Sequence, residues 1–174
     1  MNSADGIIIR PEQPQDASAI SRVIERAFQS APHSGHTEHF IVAALRRAEA
    51  LSVSLVAEKL EQVVGHVAFS PVRFSDATAG WFGLGPVAVL PEFQQQGIGT
   101  TLVHSGLAAL RSLEASGCVV LGEPGYYLRF GFRHRPECRF AGAPAEYFLT
   151  LSFRHPAPEG PVTYHDAFGA EDWP

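Results

Sequence analysis

Leu84-Gly85-Pro86-Val87-Ala88-Val89-Leu90-Pro91-Glu92-Phe93-Gln94-Gln95-Gln96-Gly97-Ile98-Gly99-Thr100 departs from ordinary strand and helix sequence in two places. The apolar run from Trp81 to Leu90 reads as a strand, yet it contains Gly85-Pro86. Proline has no N–H to donate, so the ladder breaks on one side, and the adjacent glycine favours a bulge. A strand that bends away from its neighbour leaves N–H and C=O groups that a bulge partner, water or a ligand must satisfy. The second departure is the short loop into a helix whose first turn holds Gly97 and Gly99. Glycine lets the backbone approach a ligand closely. The first N–H groups of the helix have no intrahelical partner, and the helix dipole favours an anion there. A pyrophosphate fits such a cradle, while a tight turn with nothing bound would use the same glycines.

Two familiar nucleotide signatures do not fit. Gly97-Ile98-Gly99-Thr100-Thr101-Leu102 lacks the third glycine of the dinucleotide fingerprint, and no lysine follows as a Walker loop requires.

Outward from this stretch, apolar residues recur at helical spacing. Ile98, Leu102, Gly106, Ala109 and Leu113 lie on one face with Val103, Leu107 and Leu110 beside them, and Gly117 is expected to end the helix. Cys118 to Leu121 is short, apolar and β-branched, a buried strand. Strand, long helix and buried strand predict a βαβ unit with a parallel, right-handed crossover. Upstream, Ile7-Ile8-Ile9 reads as a first strand closed by Pro11. Pro14-Gln15-Asp16 opens a helix with Ala17, Ile20, Ile24, Ala27 and Phe28 on one face. Thr37 is the expected N-cap of a second helix, with Phe40, Ile41, Ala44 and Leu45 pointing one way. Val53 to Glu58 and Val63 to Phe69 form a hairpin across Lys59-Leu60-Glu61-Gln62. Tyr147 to Phe153 alternates as one more strand in a proline-rich last third. The fold class is α+β in three layers, with a mixed, mostly antiparallel sheet of about six to seven strands flanked by helices. No linker or repeat interrupts it, so one domain over 1–174 is expected.

The 174 residues, 45% apolar and 18% charged, suffice for a core without disulfide or metal staples. No run of 18 apolar residues is present, so no membrane span is expected, and Met1 to Gly6 lacks the basic and apolar regions of a secretory leader. Thirteen basic against 18 acidic residues give a net charge of −5, which argues against a broad nucleic-acid surface. Cys118 and Cys138 form no CxxC pair and read as buried thiols of a cytoplasmic protein. His33, His36 and His39 straddle a loop and a helix start with no cysteine cluster nearby, so no metal is expected.

Gln94-x-x-Gly97-x-Gly99, preceded by Val87 to Phe93, resembles the acetyl-CoA-binding motif Q/R-x-x-G-x-G/A of the GNAT superfamily of N-acetyltransferases. Tyr127-Leu128-Arg129-Phe130-Gly131-Phe132 is similar to that superfamily's Y-x-x-x-G-F segment. Leu55-Val56-Ala57-Glu58, Gly65 to Val72, Leu121-Gly122-Glu123-Pro124 and Val162 to Phe168 resemble its YhbS-type branch, so the likeness covers nearly the whole chain in order.

That resemblance implies a sheet splayed near strands 4 and 5, with the pantetheine of acetyl-CoA inserted as a pseudo-strand. Val87, Ala88 and Val89 would face the acetyl carbonyl and pantetheine amides, and Gln95, Gln96, Gly97, Ile98, Gly99 and Thr100 would cradle the pyrophosphate. Gln95 and Gln96 are neutral where many relatives carry Arg or Lys; Arg129 or Arg133 could supply the charge. The implied activity is acetyl transfer to a primary amine of a small-molecule or peptide acceptor, directly within a ternary complex. It needs a polarised thioester carbonyl, a proton for the departing thiolate and a base for the ammonium. Tyr127 matches the superfamily's general acid, with Tyr126 as packing. Glu123 and His66, the latter sharing a face with Ser70, are the base candidates; a hydrogen-bonded core histidine is the other reading of His66. The connection from His33 to His39 would border the acceptor, and a homodimer is common in the superfamily. A CoA-binding regulatory module without turnover is the alternative. Amine-dependent thiol release separates the two.

Overall fold

The strand that holds Gly85-Pro86 is central to the sheet of the computed structural model, which describes residues 6–32 and 34–171. The readings made on Met1 to Asp5 and on His33 lie outside the described residues. The elements are β1 (Ile7–Pro11), α1 (Ala17–Phe28), α2 (Glu38–Arg47), β2 (Val53–Lys59), β3 (Gln62–Phe74), β4 (Trp81–Val89), α3 (Ile98–Ser112), β5 (Gly117–Leu121), α4 (Pro124–Tyr127), β6 (Arg133–His134), β7 (Cys138–Arg139), β8 (Phe148–Ser152) and β9 (Gly160–Tyr164). The strand order is β1-β2-β3-β4-β5-β8-β6, with β9 on the far end of β3 and β7 on β9. Every pairing along the main path is antiparallel except β4 with β5. Strand–helix–strand from β4 through α3 to β5 is therefore the parallel unit expected from the sequence. The sheet is longer than expected, by β6, β7, β9 and the extension of β3 to Phe74. Two of them are two-residue pairings, and β9 holds Pro161.

Side-chain alternation assigns the two faces of β3. A Cβ on Gly65 would stand 3.0 Å from Leu102 of α3, and the Phe69 ring lies on Gly106 of the same helix. Gly65, Val67 and Phe69 thus face α3, while His66, Ala68 and Ser70 face the other layer, where α1 packs across β3 and β4. All five side chains from His66 to Ser70 are fully buried. The core joins Ile20, Val23 and Ile24 of α1 to Leu102, Val103 and Leu110 of α3 through this sheet.

Some local expectations are corrected. The long helix stops at Ser112 and turns through Glu114 (φ 61°), not at Gly117, and Leu113 is 56% exposed rather than on the buried face. Gly117 opens β5, where a Cβ would come within 2.7 Å of the Leu151 carbonyl, so its lack of a side chain serves packing. The β2–β3 hairpin closes through two residues, Leu60 (φ 49°) and Glu61 (φ 63°), with Lys59 paired to Gln62. Two left-handed residues match the twist of a tight hairpin. On α2, Ile41, Ala44 and Leu45 do share one cluster, beside Ala167 and Phe168, while Phe40 is half-buried outside it and Val42 and Ala43 are buried as well. Thr37 does precede α2, but its carbonyl, not its side chain, takes the N–H groups of Phe40 and Ile41. Among the described residues no helix is long and apolar enough to cross a membrane.

Candidate functional site

Strand β4 pairs with β5 only from Trp81 to Leu84. On its other edge it stays with β3, but Leu84 faces Phe69 whereas Val87 faces Val67. Three steps of β4 cover two of β3, so Gly85-Pro86 sits in a bulge. The Leu90 N–H donates to the Val64 carbonyl (2.9 Å), which fixes the phase of the β3–β4 ladder. Bonding residues alternate in an antiparallel pair, so Ala88 and Leu90 bond to β3. Val87 and Val89 turn their N–H and C=O groups the other way, toward the side that β5 has left. One of those groups is occupied: the Gln94 side-chain amide donates to the Val89 carbonyl at 2.9 Å.

Beyond Val89 a 3-10 turn, Pro91–Phe93, and three glutamines lead into α3. Gln95 (φ 60°) and Gly97 (φ 81°) are both left-handed and swing the chain so that α3 starts beside β4. Gly97 accepts the first intrahelical bond, from the Thr101 N–H at 3.0 Å, leaving the N–H groups of Ile98, Gly99 and Thr100 directed outward. A Cβ on Gly99 would stand 3.1 Å from the Tyr126 hydroxyl, so this glycine lets α3 and α4 meet. Between them lies a cleft of about 550 Å³ lined by Val87, Ala88, Val89, Gln95, Gly97, Ile98, Gly99 and Thr100, together with Phe93, Gln94, Tyr126 and Arg129. Gln96 does not line it; its amide donates to the Glu92 carbonyl at 3.3 Å.

Tyr127 is buried beneath the cleft wall, its ring against Gly122 and edge-on to Tyr126 (5.0 Å) and Phe132 (5.9 Å). Burial pushes its hydroxyl well above the usual phenol range, so it carries its proton at neutral pH. Tyr126, expected to be packing alone, is the tyrosine that lines the cleft. Arg129 reaches the cleft by stacking over the Tyr126 ring at 4.5 Å and donating from Nε to the Tyr126 carbonyl at 2.9 Å. Arg133 instead ties down the Leu128 and Phe132 carbonyls (3.1 and 2.7 Å) and does not line the cleft. Glu123 is exposed at the head of α4, where its carbonyl accepts from the Tyr126 and Tyr127 N–H groups.

A second polar cluster lies inside the sheet. His66 is fully buried, and its Nε2 is 2.8 Å from the Ser54 hydroxyl. Ser54 also bonds the Glu12 carboxylate, which Arg46 grips at 2.6 and 3.1 Å. Glu12 is held well below the usual carboxylate range: burial works against the charge, but His66, Arg46 and Ser54 together outweigh it. Burial, the largest influence, pulls His66 below the usual imidazole range. His66 Nδ1 and the hydroxyls of Ser70 and Tyr164 are buried without a protein partner. Nothing in the sequence marks Glu12 or Arg46 as belonging here, because they join His66 from the β1–α1 connection and from α2, 54 and 20 positions away.

His36 and His39 line a cavity of about 410 Å³ between α1 and α2, with Glu25, Arg26, Phe28, Gln29 and Glu38. Among the described residues no group of three or more His, Cys, Asp or Glu is placed to hold a metal ion. Cys118 and Cys138 are free and buried.

Residues 18–132 match the model of the acetyltransferase (GNAT) family. The chain is 36% identical over 146 residues to the uncharacterized N-acetyltransferase YhbS of Escherichia coli K12, covering 81% of this chain and 84% of that one. A crystal structure of Escherichia coli YhbS in complex with CoA superposes with a TM-score of 0.87 at 32% identity, covering 97% of this chain and 95% of that one. A GNAT family acetyltransferase from Brucella melitensis, crystallised with acetyl-CoA, gives a TM-score of 0.84 at 50% identity over 93% of this chain and 97% of its own.

Proposed function

The chain belongs to the GNAT acetyltransferase family, and from that premise we propose that it transfers the acetyl group of acetyl-CoA to the primary amine of a small-molecule or peptide acceptor, directly and within a ternary complex. The observation that carries this reading is the pair Val87 and Val89, whose backbone groups face the side vacated by β5 beside the open N-terminus of α3. An extended pantetheine would complete the ladder there. The Val87 N–H would polarise the thioester carbonyl as an oxyanion donor does, and the small Ala88 side chain sits between these two ligand-facing positions. The N–H groups from Gln95 to Thr100 would take the pyrophosphate, so the neutral Gln95 and Gln96 side chains are no obstacle. Arg129 supplies the positive charge on the cleft wall. The two complexes of similar proteins with acetyl-CoA and CoA support the same ligand.

Tyr127 is the proposed proton donor to the departing thiolate, as a phenol that carries its proton at neutral pH. Two groups named from the sequence compete as the base: Glu123 at the exposed head of α4, and His66 inside the sheet. One domain over 1–174 carries the activity, in the cytoplasm, where free Cys118 and Cys138 stay reduced.

Melting curves with acetyl-CoA, CoA, NAD and ATP, each near 1 mM, test the pocket. A ligand at 100 times its Kd adds about 2.7 kcal/mol, or roughly 5 °C or more for a chain of this size. A shift with the two CoA species alone, followed by amine-dependent thiol release, is expected. No shift with either would reduce the loop to a turn and end the transferase reading. Tyr127→Phe is expected to lower kcat about 10²-fold while keeping the acetyl-CoA shift. An unchanged kcat would leave Tyr127 a packing residue.

A further inference from the structure

The hydrogen-bond chain around His66 determines which of its nitrogens carries the proton. The Glu12 carboxylate can only accept, so the single Ser54 hydroxyl proton points at Glu12. Ser54 must then accept from His66, which places the imidazole proton on Nε2. Nδ1 is left with a bare lone pair, fully buried and without a protein partner. A buried acceptor with nothing to accept is rare in a folded protein and marks a place where a donor arrives. His66 lies directly across from Ala88, a cleft residue, and cross-strand partners set their side chains side by side on one face. It is thus one rung from the Val87–Val89 backbone.

We propose that His66 Nδ1 is the proton acceptor for the incoming ammonium, reached directly or through one water, and that Ser54 and Glu12 are positioning residues that hold its tautomer. This inference rests on the transferase reading. The ammonium gives one proton to Nδ1 and becomes the amine that attacks the thioester carbon. As the C–S bond breaks, the thiolate takes the proton of Tyr127, giving CoA thiol, and the second proton shed by the new amide nitrogen restores the Tyr127 hydroxyl. His66 returns its proton to water, so the balance is one ammonium and one acetyl-CoA in, and one amide, one thiol and one proton out. The imidazolium formed in between is steadied by Glu12 through the Ser54 hydroxyl. The charged groups acting on His66 are Glu12, from the β1–α1 connection, and Arg46, from α2; Ala88 of β4 and Ser54 of β2 are uncharged.

The test is the pH dependence of kcat between pH 6.5 and 9.5 with an amine found by thiol release. His66→Gln should lose about 10²-fold at pH 7, with the acetyl-CoA melting shift intact. The deficit should shrink toward pH 9.5, because the amine then arrives without its proton. A structural role would give a deficit that does not vary with pH, and that result, or an unchanged kcat, overturns the proposal. Should His66→Gln not fold, Ser54→Ala keeps the imidazole and should show the same narrowing deficit at about 10-fold. Nitrogen NMR of the wild-type chain should find the Nε2–H tautomer at neutral pH; an Nδ1–H tautomer overturns the proposal without any turnover. A wild-type chain that binds acetyl-CoA yet acetylates no amine would instead sink the transferase reading, and this one with it.

Discussion

The cleft beside β4 and the cluster around His66 are both polar places in an apolar sheet, but they are made from opposite materials. The cleft is backbone: N–H and C=O groups of Val87 and Val89 and the first turn of α3, with Arg129 as its charged lining residue. The cluster is side chain: Glu12, Arg46, Ser54 and His66, drawn from four separate elements and linked within about one hydrogen bond of each other. A backbone site tolerates neutral side chains and depends on conformation. A side-chain site depends on every partner, because one removal strands a buried charge or lone pair. The two regions should therefore fail in different ways.

The largest effect expected is in the cleft. Gly97→Asp should abolish acetyl-CoA binding, more than 10²-fold, by setting a carboxylate against the pyrophosphate. The fold should survive, since a Cβ on Gly97 meets nothing within 4 Å and Asp tolerates the left-handed φ of 81° better than most residues. Retained affinity would show that the cleft is not the backbone site described above.

Next in size is the cluster's counterpart. Glu12→Ala leaves the Arg46 guanidinium and the Ser54 hydroxyl without their acceptor, and should cost about 2–3 kcal/mol of stability. In a chain of this length that lowers Tm by roughly 4–12 °C. Acetyl-CoA should still raise Tm by the wild-type amount. If Glu12→Ala weakens acetyl-CoA binding as severely as Gly97→Asp does, the two regions are one site and the contrast fails.

This difference in material also explains what could be read in advance. The 17 residues from Leu84 to Thr100 are contiguous, so proline's missing donor and the glycines at a helix start expose the bulge, the broken ladder and the open helix start without any tertiary knowledge. Eight of the nine cofactor residues named from them share one cleft. His66 was visible as a lone polar residue on an apolar strand, with Ser70 on its face, and both are buried. Its partners were not visible, since nothing local marks Glu12 or Arg46 as belonging to it. The Tyr126-Tyr127 pair shows the limit of motif reading. Adjacent residues at the turn of a short helix point to different sides, and only the fold determines that Tyr126 lines the cleft while Tyr127 is buried beneath its wall. Gly117 misled for a related reason: glycine stops helices, but here it makes room for the Trp81 ring.

A smaller effect comes from titration. Burial holds His66 below the imidazole value near 6.5 that it has in the unfolded chain. The unfolded state therefore binds a proton that the folded state refuses, so stability is complete above about pH 6.5 and falls as the pH drops beneath it. The slope contributed is at most about 1.4 kcal/mol per pH unit. Glu12, whose folded value is depressed, adds its own loss only below about pH 4.5. Tm measured from pH 7.5 to 5 should thus decline more steeply for the wild type than for His66→Gln. Parallel curves would mean that His66 takes up a proton without unfolding, and that its burial does not exclude the charge.

The smallest effect separates the two materials most sharply. Gln94 donates to the Val89 carbonyl, one of the four backbone groups turned toward the vacated side of β4. Both residues line the cleft, so Gln94→Ala opens the carbonyl to a position that water can fill. The net loss should then be that of an ordinary hydrogen bond exchanged for one to solvent, about 0.5–1 kcal/mol, or roughly 1–4 °C in Tm. Ser54→Ala removes a single hydroxyl of similar intrinsic strength. Glu12 and Ser54 border an open cavity of about 400 Å³ where water can replace the bond to the carboxylate, but the fully buried His66 Nε2 loses its acceptor. Ser54→Ala should therefore cost more than Gln94→Ala, by about 1 kcal/mol or more. Equal losses would mean that water reaches His66 as freely as the cleft, and the contrast between a solvent-backed backbone site and a histidine enclosed in the sheet would have to be given up.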